Sequence, residues 1–135
     1  MTNSELIKDW LRTCKFIEIV DIDTDRLEAQ AESMGIYKQA TRDVDEYIDG
    51  TKLISEYYYF LTRQSAQLES ERIGAQEFLS QIEGWVEESE YNEIYPKIPG
   101  IERVFIANGF YMTDAETDES VYQISIGVTY QKERN

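Results

Sequence analysis

The stretch "ISEYYYFLTRQSA", residues 54–66, decides how this chain is read. Its density of β-branched and aromatic residues marks a β-strand. A strand with one buried face alternates apolar and polar residues. This one does not. Tyr57, Tyr59 and Leu61 point one way, and Tyr58 and Phe60 point the other. A strand that is aromatic on both faces needs two covers. Either it is a central strand buried within the domain, or its second face meets another protein. In the second case Tyr58 and Phe60 are candidate oligomer-interface residues, with Tyr57 and Tyr59 beside them.

Working outward, Asp49-Gly50 is a turn signal just before this strand, and "GIYKQATRD" ahead of it is a second strand candidate. Downstream, "SERIGAQEFLSQIEGWVEESE" carries Ile73, Ala75, Phe78, Leu79, Ile82, Trp85 and Val86 at helical spacing. Ser70 is its expected N-cap, and Gly74 and Gly84 suggest a close approach to a sheet. The two prolines of "IYPKIPG" end it. "IERVFIANGFYMT" is a strand, and "DAETDES" an acidic loop. "VYQISIGVTYQKE" alternates cleanly, placing Tyr122, Ile124, Ile126, Val128 and Tyr130 inward and Gln123, Ser125, Thr129 and Gln131 outward.

At the N-terminus, "TNSELIKDWLRTCKF" reads as a helix with Leu6, Ile7, Trp10, Leu11 and Cys14 on one stripe and Thr2, Asn3 or Ser4 as cap. "FIEIVDIDTDRLEAQAESMG" is ambiguous, a short extended stretch followed by a helical turn or a loop. The order is therefore α-β-β-α-β-β. It predicts an α+β fold, a two-layer sandwich with about four antiparallel strands and the helices packed on one face. The expected core is Trp10, Phe78, Ile82, Trp85, Ile124, Ile126 and Val128.

Composition bounds the function. The 135 residues suit one domain, 1–135, with a real core. No apolar run approaches the ~18 residues of a membrane span, and no basic-then-apolar leader opens the chain, so synthesis in the cytoplasm and no membrane partner are expected. There is no histidine, which removes His-dependent nucleophilic pairs and His-ligated zinc and lowers the case for an enzyme. The single cysteine, Cys14, reads as a small buried hydrophobe. A net charge of −14 disfavours direct contact with nucleic-acid phosphates.

Two acidic clusters invite a metal or hydrolase reading. Asp21, Asp23, Asp25 and Glu32 fall at carboxylate positions of a calcium loop, but Arg26 stands where the turn needs glycine. Asp114, Glu116, Asp118 and Glu119 lie between two strands, where an exposed loop tip is the simpler account. No catalytic residue, metal site or cofactor is therefore expected.

Four segments carry a resemblance that spans nearly the whole chain: "TNSELIKDWLRTC", "EYIDGTKLISEYYYFLTRQSA", "EFLSQIEGWVEE" and "ANGFYMTDAETDESVYQISIGVTYQKE". In this order they resemble the small "minor capsid" proteins of the tail-terminator, or head–tail joining, group of phages and prophages of Gram-positive bacteria. Residues 21–38 depart most from that pattern. The resemblance implies a non-enzymatic structural protein, typically a hexameric ring. Such a ring caps the tail tube, ends its polymerisation and joins the tail to a head connector or collar. It further implies the tail tube protein as partner, the sheath protein where the tail is contractile, and residence in a virion or a tail-like bacteriocin. DNA would pass through such a ring, and an acidic lumen would not hold it. The alternative reading is a small acidic binding or inhibitor module, a nucleic-acid mimic acting as monomer or dimer.

Overall fold

The computed structural model describes residues 1–17, 22–24, 34–65, 68–115 and 119–133. Helix α1 (Asn3–Leu11) is followed by a three-residue strand β1 (Ile22–Thr24) and two long strands, β2 (Met34–Glu46) and β3 (Lys52–Ser65). Helix α2 (Glu69–Tyr91) then leads to β4 (Ile101–Ala115) and β5 (Glu119–Lys132). The four long strands are antiparallel, and with the helices they keep the α-β-β-α-β-β order. The short β1 adds parallel to β2, so the sheet runs β1-β2-β3-β5-β4.

Local chemistry sets the ends. The Thr2 hydroxyl accepts from the Glu5 N–H and caps α1, satisfying a donor that has no partner within the helix. Helix α2 begins one residue before the expected Ser70, with Leu68 at the cap position and the Glu71 carboxylate accepting from the Leu68 N–H. The β2–β3 turn uses Gly50 at φ 90°, where a side chain would be strained, and the Asp49 carboxylate accepts from the Thr51 N–H.

Both helices lie on one face of the sheet. Ala75, Leu79, Ile82 and Val86 of α2 and Ile7, Trp10 and Leu11 of α1 join Ile124, Ile126 and Val128 in one buried core. Phe78 and Trp85 pack against it half-buried, and Trp85 stacks on Trp10 with ring centroids 4.7 Å apart. The Trp10 indole N–H donates to the Ile94 carbonyl, tying α1 to the end of α2. Cys14 is buried, and burial pushes its thiol pKa up, which suits an inert core residue.

Three expectations change. Gly74 and Gly84 lie on the exposed side of α2 with open space beside them, so they serve no close approach to the sheet. Ile73 is exposed, because the helix turns a narrower stripe inward than the apolar spacing suggested. Gln123, Ser125 and Thr129 point away from the helices but are buried. Strand β5 lies between β3 and β4, and Gln123, Ser125 and Thr129 are hydrogen-bonded to Tyr111, Gln39 and Ser55.

Candidate assembly interface

Strand β3 answers the opening question. Tyr58 and Phe60 face the helices and are 0% exposed within the single chain. Phe60 sits opposite Ile36 on one side and Ile124 on the other, and Tyr58 sits opposite Ile126. This corrects their assignment as interface residues: they are core. Tyr57 and Tyr59 remain on the other face, half-buried. Strict alternation along an extended strand puts the two pairs on opposite sides, and α1 and α2 cover the even-numbered side.

The second face carries no helix among the described residues. Its cross-strand rows follow from the register. One row is Tyr37–Tyr59–Ser125–Asn108, and the next is Gly35–Leu61–Gln123–Tyr111. Tyr57, Gly127 and Phe105 form a third. The Phe105 ring lies on Gly127, and a Cβ there would overlap it. Tyr57 meets the same ring edge-on with centroids 6.2 Å apart, and the Arg103 guanidinium stands 4.2 Å from the Phe105 centroid.

Polar groups beneath this layer are matched pairwise. Gln39 Nε2 donates to Ser125 Oγ at 2.7 Å, and Gln123 Nε2 donates to the Tyr111 hydroxyl at 2.6 Å. The Ser55 and Thr129 hydroxyls bond at 2.8 Å. The Tyr57 hydroxyl donates to Asp43 at 2.6 Å, and that bond raises the phenol pKa. The result is an aromatic surface whose charged members, Arg103 and Asp43, are engaged by Phe105 and Tyr57, on a strongly acidic chain. Depletion of charge with enrichment in tyrosine, phenylalanine and arginine is the composition of an interface centre.

Sequence reading missed Tyr37, Arg103, Phe105 and Tyr111. The alternation of Arg103, Phe105 and Tyr111 was visible, because the two bulges in β4 after Ile106 and Asn108 cancel and return Tyr111 to the Phe105 face, while Asn108 between them also reaches it. A single bulge inserts a residue and exchanges faces, so period-two counting misplaces Asn108, which lies between the two.

One buried carboxylate lies on the helix side. Glu56 is 2% exposed and accepts from Lys38 Nζ at 2.9 Å, Asn3 Nδ2 at 3.0 Å and the Tyr58 hydroxyl at 3.2 Å. Burial alone would raise its pKa, but the Lys38 and Asn3 hydrogen bonds and the Lys38 charge outweigh it and hold the carboxyl below its ordinary value. The same environment pushes the Tyr58 phenol up, burial first and the Glu56 charge second. Each member is satisfied by another, which is the pattern of a clamp between α1 and the sheet. The calcium-like Asp21, Asp23, Asp25 and Glu32 set falls largely outside the described residues, as do residues 116–118 of the acidic loop, while Asp114 lies near the end of β4 and Glu119 opens β5. Among the described residues no cluster of acidic or sulfur ligands is placed to hold a metal ion, and no helix is long and apolar enough to cross a membrane. No protein-family model matches the chain, and no curated protein matches it significantly.

Proposed function

We propose that this chain is a structural subunit of a homo-oligomeric ring that caps a phage tail tube and joins it to the head connector or collar. The observation that carries the reading is the uncovered aromatic sheet face of Tyr37, Tyr57, Tyr59, Phe105 and Tyr111. A sheet normally buries such residues, and an uncovered aromatic patch marks a contact. The α-β-β-α-β-β order supports the resemblance noted from the sequence. The acidic composition supports a ring through which DNA passes without adhering.

The test places a charge on the open face. Tyr59→Glu and Tyr111→Glu leave the helix-side core untouched, so circular dichroism should stay native. Both variants should fail to cap purified tail tubes, giving tubes of unregulated length by electron microscopy. Capping by a folded double variant, or failure of the unmodified protein to cap any tube, overturns the proposal.

A further inference from the structure

Below the helices, on the helix-bearing face, β2, β3 and β5 leave a trough of about 560 Å³ at the turn end of the hairpin. Ile54 and Tyr130 line it, and the β2–β3 turn brings a fully exposed Ile48 to its edge. Three cations surround it: Arg42, Lys52 and Lys132, against Glu46 and Glu133. In a chain of net charge −14 this is a local reversal of sign. Lys52 and Lys132 stand directly opposite each other across the β3–β5 pair. Like charges at that position repel and weaken a sheet. Among the described residues neither has an ion-pair partner. Glu46 stands opposite Lys52 across the β2–β3 pair, and an anionic group reaching Lys132 would relieve the remaining repulsion.

The chain itself presents a patch of complementary charge and polarity. The end of α2 carries Tyr91, 88% exposed, with Glu87 and Glu88 one turn before it, and Glu93 and the exposed Ile94 after it. Glu90 is engaged by the Tyr95 hydroxyl, which leaves Glu87 and Glu88 to present charge outward. An exposed tyrosine ringed by carboxylates matches an apolar floor ringed by lysines. The two features are different patches, one on the ends of β2, β3 and β5 and the other at the end of α2. The trough is built on β2 and its neighbours, whereas α2 packs chiefly on β4, the opposite edge strand.

We infer that the trough of Arg42, Lys52 and Lys132 receives the Tyr91 knob of a second copy of this chain. The contact is head-to-tail, because different patches meet. Such a contact closes into a ring when its rotation divides a full turn, and otherwise grows as an open filament. The inference deepens the ring reading above, since it assigns the contact between neighbouring subunits and leaves the aromatic face for the surfaces the ring docks on.

The experiment is a charge exchange on the full chain. One variant carries Lys52→Glu and Lys132→Glu, the other Glu87→Lys and Glu88→Lys. All four positions are exposed, so both should melt like the parent by circular dichroism. Light scattering on a sizing column should give a multiple of the 15.8 kDa chain for the unmodified protein, with greater association at low salt. Each variant alone should be monomeric, with association weakened by at least about tenfold. Mixed in equal amounts they should assemble again, because each reversed patch then meets its opposite. Oligomers that persist in either variant alone, or monomers that fail to recombine, overturn the trough contact while leaving the ring proposal standing. A parent protein that is monomeric at every concentration overturns both. A charge-dependent oligomer that caps no tail tube overturns the tail reading and keeps the contact.

Discussion

Removing the carboxylate of Glu56 tests how α1 is held to the sheet. In Glu56→Ala, the Tyr58 hydroxyl loses its acceptor inside a fully buried residue, and Asn3 at the start of α1 loses its bond to the sheet. An unsatisfied buried hydroxyl costs about 1–3 kcal/mol. The Lys38 ammonium is half-exposed and turns to water, so the ion pair adds only about 0–1 kcal/mol. Relief from burying a charge offsets part of this. The net expectation is a loss of about 1–3 kcal/mol for Glu56→Ala. Glu56→Gln keeps an acceptor for Tyr58 or Asn3 and should lose about 1–2 kcal/mol.

Acid adds an independent check. The folded carboxyl lies below its ordinary value of 4.5, so its contribution is complete above that value. It disappears as pH falls through the lowered folded pKa. Urea melts at a series of pH values should therefore show the parent's advantage over Glu56→Gln constant near neutrality and shrinking below about pH 4.5. A loss under about 0.5 kcal/mol for Glu56→Ala, or a gap between parent and Glu56→Gln that does not shrink in acid, would refute the clamp.

Phe60→Ala should cost about 3–5 kcal/mol in denaturant melts while Tyr59→Ala costs under about 1, since the two residues differ chiefly in which face of β3 they occupy. Equal losses would sink that assignment of faces. Gly127→Ala drives a methyl into the Phe105 ring and should cost about 1–3 kcal/mol, with Phe105→Ala in the same chain restoring part of it. Additive losses would show that the ring does not lie there. Trp85→Ala should cost about 2–3 kcal/mol, less than a fully buried tryptophan, and should shift the emission of Trp10, its stacking partner.

Much of the fold was legible because its signals are local. The 3.6-residue spacing of Leu79, Ile82 and Val86, the Thr2 cap, the Asp49-Gly50 turn and the inward row Ile124–Ile126–Val128 each depend on neighbours in sequence. The doubly aromatic strand was legible as well, since period two guarantees that Tyr57 and Tyr58 face opposite ways. Which face the helices cover is a different kind of fact. It depends on how α1 and α2 dock, and contacts such as Trp10 with Trp85 and Asn3 with Glu56 join residues 75 and 53 apart. For that reason Tyr58 and Phe60 became core and Tyr57 and Tyr59 became surface. Tertiary structure also decided that Gln123, Ser125 and Thr129 are buried, through the central place of β5, and that Asn108 joins the open face, through the bulges of β4. The trough likewise exists only where the register sets Lys52 against Lys132, residues 80 apart in the chain. Propensity and periodicity act over a few residues and fixed the elements. Pairing register and layer docking act across the whole chain and decided which side of each element meets water.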